Sequence, residues 1–297
     1  MKEVPTREAT PEVEVLLCTF NGEPHLIDQL RSLLDQTRPV DRIVIRDDAS
    51  TDSTVQLVRA FVDQCSKRDA ARIVLNVNPV NVGYARNFEA ALGSATGDVL
   101  FLCDQDDVWE PQKVERLLQA LEETGADMAF SDGTIVDTEN RPLTASSVLD
   151  WYGLRERDRP AFQSRGFECL LKRNYVNGAA MAIRRASAQE SLPLPCDMPH
   201  DYWLAVWCAF RGGAVAVPDR LYRYRQHDRN AIGVGTGSAI WTITGLWRYP
   251  DAPRERELRI WEAMTERLAM QQRPQVASAR RKVDWLRRVV PEHKRSW

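Results

Sequence analysis

Two periods alternate through the first hundred or so residues, and this alternation constrains the fold more than any other feature. Runs rich in Val, Ile, Leu and Phe at residues 13–20, 42–47, 72–77 and 99–103 have the length and the β-branched and aliphatic content of strands. Between them, residues 23–36, 53–64 and 84–92 repeat apolar side chains at three- and four-residue spacing, as amphipathic helices do. Strands separated by helices predict an α/β architecture, a mostly parallel central sheet covered on both faces. In such sheets ligands bind beyond the carboxyl ends of the strands, so the polar residues after each run are where function is expected. A chain of 297 residues is long enough for one domain of this kind with added elements.

The fourth run ends as Phe101-Leu102-Cys103-Asp104-Gln105-Asp106-Asp107-Val108-Trp109, three carboxylates within four positions. Crowded carboxylates repel one another, and a divalent cation is the simplest compensation. Two carboxylates spaced one residue apart let one reach a magnesium or manganese ion while the other reaches a hydroxyl of the same ligand. The plain alternative is an acidic turn capping the helix that starts near Pro111. The second run also ends acidic, in Arg46-Asp47-Asp48-Ala49-Ser50-Thr51-Asp52-Ser53-Thr54. The first ends in Cys18-Thr19-Phe20-Asn21-Gly22-Glu23-Pro24, with Gly22 suited to a tight turn and Pro24 to a first helical turn. A further block, Asn81-Val82-Gly83-Tyr84-Ala85-Arg86-Asn87, supplies a glycine for close backbone approach and an arginine able to meet a base or phosphate.

Regularity falls after a strand-like run at 127–131. Residues 141–166 are mostly polar with two prolines and read as a loop or lid-like insertion; 179–183 and 214–217 read as strands, 193–199 as a Pro-rich turn, and 201–210 as an apolar helix. Hydrophobic residues at 43%, charged residues at 28% and a net charge of −2 describe an ordinary globular chain with no bias toward nucleic acid. The six cysteines form no C-x-x-C pair, which argues against zinc and against a disulfide framework; Cys169 and Cys196 read as inert. No signal-like apolar segment opens the chain and no run is long enough to span a bilayer, so the expected compartment is the cytoplasm.

T-F-N-G, D-D-A-S-T-D-S-T, N-V-G-Y-A-R-N, D-Q-D-D-V-W and H-D-Y-W, in that order over roughly residues 13–230, resemble the family 2 inverting glycosyltransferases of the GT-A fold. The D-Q-D-D-V-W form looks most like bacterial rhamnosyltransferases of cell-surface polysaccharide assembly. This resemblance implies a catalytic domain at 13–236 between a tail at 1–12 and a helical extension at 237–297. The nucleotide-binding half would be about 13–107 and the acceptor half about 108–236. It implies that Thr19, Phe20, Asn21, Glu23, Asp47, Asp48, Gly83 and Arg86 hold the nucleoside, with Asp104 on the ribose and Gln105 beside it. Asp106 would hold a divalent cation, Mn2+ or Mg2+, with His227 as a further ligand. Asn177 and Gly178 would lie near the donor sugar or acceptor.

Relatives place the catalytic base in an acidic dipeptide at a helix start. The matching stretch here is Pro199-His200-Asp201-Tyr202-Trp203, with histidine where many relatives carry glutamate, which leaves Asp201 as the base. The same aspartate would serve as a helix cap. Trp109, His200, Trp203 and Arg225 are the remaining candidates for diphosphate or acceptor contacts. The partners implied are a nucleotide-diphosphate sugar and a glycan or lipid-linked saccharide.

Two rival functions leave different marks. A sugar nucleotidyltransferase carries a glycine-rich, basic first loop for a triphosphate, whereas Thr19 to Pro24 contains one glycine and no lysine or arginine. A non-catalytic nucleotide-sugar-binding subunit would have no need to keep Asp104, Asp106 and Asp201 together. The last stretch is strongly basic, with Arg273, Arg280, Arg281, Lys282, Arg287, Arg288, Lys294 and Arg295. Its apolar residues Val276, Val283, Trp285, Leu286, Val289 and Val290 fall largely at helical spacing. That composition predicts either a helix resting on the inner membrane surface or pairing with a second subunit, against the simpler outcome of packing on the catalytic domain.

Overall fold

A computed structural model of the chain describes residues 10–195, 198–227, 254–270 and 274–289. In chain order its elements are β1 (Val13–Thr19), α1 (Leu26–Leu34), β2 (Arg42–Asp47), α2 (Thr54–Gln64), the single turn α3 (Lys67–Ala70), β3 (Ile73–Val77), α4 (Tyr84–Ser94), β4 (Val99–Cys103), β5 (Val108–Trp109) and α5 (Lys113–Thr124). There follow β6 (Met128–Val136), β7 (Pro142–Ser147), α6 (Val148–Tyr152), α7 (Arg159–Leu170), β8 (Met181–Arg184), α8 (Arg185–Glu190), α9 (His200–Arg211) and β9 (Ala214–Arg225), then α10 (Arg254–Ala269) and α11 (Val276–Val289).

All four strands expected in the first half form, and they pair in parallel in the order β3-β2-β1-β4. β1 and β4 are apolar along their length because helices cover both faces; Val15, Leu16, Leu17, Leu100, Phe101 and Leu102 are fully buried. The buried Glu14 is compensated, its carboxylate accepting the backbone N–H groups of Thr96 at 2.7 Å and Gly97 at 2.6 Å. The chain winds outward from β1 to β2 and β3, then returns to β4 on the other side of β1. This reversal opens a crevice at the carboxyl ends of β1 and β4, between the Thr19 turn and the Asp104 turn.

Beyond β4 the sheet is mixed. β8 lies antiparallel between β4 and β6, β6 runs parallel to β9, and the two-residue β5 pairs antiparallel with the far end of β9. Through these pairings the same sheet that ends in the acidic turn also carries the segment leading to Asp201.

Residues 141–166 are ordered structure and not a loop. They form β7, α6 and half of α7, and bury Val148, Leu149, Tyr152 and Phe162. The polar residues that suggested a loop are used internally. Ser147 caps α6 by accepting the N–H of Asp150 at 3.2 Å. Buried Asp132 accepts the N–H of Leu149 at 2.9 Å and pairs with Arg159 at 2.9 Å.

α10 lays Leu258, Trp261, Met264 and Leu268, each at most 1% exposed, against the core. Trp261 meets Tyr202 of α9 edge-on at 6.4 Å. The Arg267 guanidinium lies 4.9 Å over Trp203 and donates to the carbonyls of Leu192 and Pro193. α11 buries Val276, Ala279, Val283 and Leu286 and packs on α10. Three of the apolar residues expected to face a membrane therefore face the protein, because α10 offers them a dry partner. Trp285 remains 45% exposed beside the outward arginines. Arg273, Val290, Lys294, Arg295, Cys196 and the stretch 228–253 lie outside the described residues, as does the side chain of Val289.

Candidate active site

The turns after β1 and β4 are tied together by one amide. Gln105 accepts the N–H of Phe20 through Oε1 at 2.8 Å and returns a bond from Nε2 to the Phe20 carbonyl at 3.0 Å. Gly22 makes room for it, since a Cβ there would lie 2.3 Å from Gln105 Oε1. The two halves of the T-F-N-G and D-Q-D-D pattern are thus one structural unit, and Gln105 is its clasp.

Asp47 and Asp48 brace this rim. Asp47 is fully buried, accepting Thr19 Oγ1 at 2.9 Å, Ser50 N at 2.8 Å and the Ser50 hydroxyl. Asp47 itself borders neither lobe of the cleft beyond this rim and acts on the rim through Thr19 and Ser50. Asp48 borders the cleft and accepts the N–H groups of Val82 at 2.9 Å and Gly83 at 2.8 Å and the Asn78 amide at 2.8 Å. Gly83 has φ 85°, a left-handed conformation that glycine adopts without strain, and from there α4 begins. Asn21 holds Thr51 N at 2.9 Å through its side chain.

Beyond this rim lies a cleft of two lobes that share Phe20, Gln105 and Asp106. The outer lobe, about 640 Å³, is bordered by Asn21, His25, Asp52 and His227. The inner one, about 360 Å³, brings together Thr19, Asp48, Gly83, Asp104, Asn177, Gly178, His200 and Asp201 from six separate parts of the chain. Most of the candidates therefore meet in one place, although the chain separates Thr19 from Asp201 by 182 residues.

Others do not. The three adjacent carboxylates fail to converge: Asp107 is buried, turns into the core and accepts the N–H of Arg225 at 3.1 Å. Trp109 and Trp203, expected at the diphosphate or acceptor, are 2% and 1% exposed core residues, and the Trp203 indole donates to Ser191 O at 2.9 Å. Arg225 is equally buried and donates to the carbonyls of Asp106 at 2.8 Å and Thr138 at 2.7 Å, so it holds the acidic turn from behind. Arg86 pairs with Glu89 at 2.9 Å, and Glu23 accepts Ser53 N at 3.3 Å; neither borders either lobe.

Burial governs the charges. Asp104 is pushed up to about 7 by desolvation, reinforced by Asp106 and Asp201. Asp201, in the first turn of α9, is also pushed up to about 7 by desolvation, against the opposing pull of the Tyr202 and Gly178 N–H groups. Both thus titrate near neutrality, the range in which a carboxylate moves protons well. Beneath them lies Lys113, fully buried, whose ammonium donates to Ala179 O and lies 3.9 Å over the Trp109 ring; burial lowers it to about 7. His227 Nε2 lies 2.9 Å from the Asp106 carboxylate, and His25 stacks on the His227 ring with centroids 5.1 Å apart.

Several cleft residues escape a reading of the sequence: His25, Tyr84, Phe88, Tyr152 and Tyr224. Tyr84 and Phe88 stand four apart on α4 and so share a face, a signal that the glycine and arginine of the same block obscured. Tyr152 came from the segment taken for a loop.

A parallel half joined to a mixed half, with the acidic turn at their seam, is the GT-A arrangement. The mannosyltransferase PcManGT of Pyrobaculum calidifontis, solved with GDP-Man and Mn2+, superposes with a TM-score of 0.58 at 19% identity over 94% of this chain and 70% of its own. The profile of Glycosyl transferase family 2 matches residues 14–192, and the chain belongs to that family. An uncharacterised protein of Mycobacterium tuberculosis is 26% identical over 223 residues, 72% of this chain and 59% of its own length, so the chain spans well under two thirds of that relative. The dTDP-rhamnosyl transferase RfbG of Shigella flexneri is 25% identical over 224 residues, 73% of each chain.

Proposed function

We propose that this protein is an inverting glycosyltransferase that moves a sugar from a nucleotide diphosphate donor to a hydroxyl of a lipid-linked or growing surface polysaccharide. The carrying observation is that Asp104, Asp106 and Asp201, from the acidic turn and the first turn of α9, border one lobe, with Asp106 shared by both lobes of the cleft. A donor of the dTDP-L-rhamnose or UDP-hexose type fits this reading, supported by the activity in the name of the Shigella relative. Thr19, Asp48 and Gly83 would border the nucleoside, Asp104 the ribose, and Asn177 with Gly178 the sugar. As the acceptor oxygen bonds to the anomeric carbon on the face opposite the leaving group, the bond to the diphosphate breaks and the hydroxyl proton passes to Asp201.

A carboxylate oxygen and an imidazole nitrogen, from Asp106 and His227, form a donor set suited to Mn2+ or Mg2+. Among the described residues no group of three or more His, Cys, Asp or Glu side chains is placed to hold a metal ion. A cation at Asp106 and His227 would neutralise charge on the departing diphosphate.

The test is a thermal-shift panel of nucleotide sugars with and without Mn2+, because a ligand selective for the folded state raises its melting temperature. One nucleotide sugar is expected to raise it by several degrees in a cation-dependent way. No shift with any of them would count against the proposal.

Among the described residues no helix is long and apolar enough to cross a membrane. Contact with a lipid-linked acceptor would instead use charge, since α11 turns Arg280, Arg281, Arg287 and Arg288 outward around Trp285. On anionic liposomes at low salt the full-length protein should float, and added salt should release it. Flotation unaffected by salt would show apolar insertion in place of charge, and no flotation with the protein dimeric by light scattering would move this role to self-association.

A further inference from the structure

His200, the residue before the proposed base, is 8% exposed and borders the inner lobe. Its ring lies flat on Phe88, with centroids 4.2 Å apart and planes 13° from parallel, while Tyr84 meets it edge-on at 5.8 Å. Among the described residues neither ring nitrogen has a hydrogen-bond partner, although both are buried. Burial lowers the ring's pKa to about 4, so at neutral pH it carries no charge and does not compete with Asp201 for the proton. A neutral imidazole offers one N–H donor and one acceptor, and leaving both unmade in the interior costs stability that packing alone would have avoided with phenylalanine. Gly178 lies close against the ring on the same lobe, where an added Cβ would stand 3.1 Å from Nε2 and crowd it.

We propose that His200 reads a hydroxyl of the saccharide bound beside Asp201, one ring nitrogen donating to it or the other accepting from it, with Phe88 and Tyr84 fixing the plane of the ring. This deepens the glycosyl-transfer reading and rests on it. A histidine here also spares the lobe a further carboxylate, with Asp48, Asp104, Asp106 and Asp201 already on its border. The hydroxyl belongs to the donor's sugar or to the acceptor, and two arms of one experiment tell these apart.

His200→Phe keeps the stacking on Phe88 and removes both nitrogens. The probes are UDP, dTDP and GDP, the nucleotide sugars UDP-glucose, dTDP-L-rhamnose and GDP-mannose, and free mono- and disaccharides as acceptors. The variant should melt at or above the wild-type temperature and bind the nucleoside diphosphates unchanged. If the donor's sugar is read, nucleotide-sugar affinity and donor hydrolysis both fall by about ten- to a hundredfold. If the acceptor is read, hydrolysis stays and the acceptor KM rises by a similar factor. His200→Gln, which restores a donor and an acceptor, should recover part of the loss. Wild-type hydrolysis and transfer in His200→Phe would overturn the proposal, as would weaker binding of the nucleoside diphosphates alone. So would a melting temperature far below wild type, because the ring nitrogens would then be satisfied in the fold. A wild-type protein that binds none of the nucleotide sugars would remove the glycosyl-transfer reading and this proposal with it. One that both hydrolyses a donor and transfers to acceptor at rates and an acceptor KM matched by His200→Phe would remove this proposal alone.

Discussion

Asp201→Asn is expected to bind nucleotide sugar as the wild type does and to lose transfer by about two to four orders of magnitude, the usual contribution of a general base. The other groups bordering the inner lobe have other parts in this reading: Asp48 is held by Val82, Gly83 and Asn78, Asp104 and Asp106 are assigned to the ribose and the cation, and the His200 ring is neutral and weakly basic. With Asp201 at about 7, kcat/KM of the wild type should rise with pH up to about that value and then level. The residual activity of Asp201→Asn should lack this limb. The linkage runs the other way for stability. A carboxyl raised from its ordinary value when folded holds its proton more tightly in the folded state, so stability is full at acid pH and is lost as pH rises toward and through 7. Asp201→Asn should therefore melt no lower than wild type at pH 8. The N-cap of α9 is Pro199 and Asp201 lies inside the first turn, so the expected helix cap does not form, and a large drop at pH 8 would point to a structural role within that turn. Transfer at the wild-type rate would remove Asp201 from the chemistry.

The second large effect is expected at Asp106. Asp106→Ala should abolish the Mn2+-dependent part of nucleotide-sugar binding and reduce turnover at least a hundredfold, a loss comparable to removing one group that stabilises developing charge. The fold should survive, since the turn itself is held by Arg225 through the Asp106 carbonyl and by Gln105 through Phe20, neither of which needs the Asp106 side chain. Titration calorimetry with and without EDTA measures this. Donor binding and turnover in the variant with Mn2+ that equal those of wild type with Mn2+, and that respond to EDTA as wild type does, would show that Asp106 holds no cation.

The parts that sequence made legible are those where local pattern and buried position coincide. β1 and β4 announce themselves because they run through the middle of the sheet and are almost wholly buried, and β2 and the edge strand β3 through the aliphatic runs Ile43-Val44-Ile45 and Ile73-Val74-Leu75. The turns after them announce themselves because Gly22 and Asp48 serve close contacts that few residues satisfy. What escaped depends on direction, which spacing does not encode. Asp106 and Asp107 are neighbours, yet one borders the cleft and the other enters the core. Trp109, Trp203 and Arg225 stand beside motif residues in the chain, yet they build the wall behind the site. Residues 141–166 look like a loop because their polar side chains are spent on one another, as Asp132 is on Arg159 and Leu149. The aromatic wall of Tyr84, Phe88, Tyr152 and Tyr224 is assembled from three distant elements, so no window of sequence contains it.

The central claim is transfer from a nucleotide sugar by a single displacement, and the stereochemistry of the released sugar tests it most directly. The protein is incubated with the nucleotide sugar that stabilises it and with Mn2+, and the anomeric configuration of the first product, glycoside or hydrolysed sugar, is read by NMR before mutarotation. Inversion relative to the donor, lost together with the product in Asp201→Asn, is the predicted result. A product with the donor's own configuration, or a nucleotide sugar consumed without release of its nucleoside diphosphate, would contradict it.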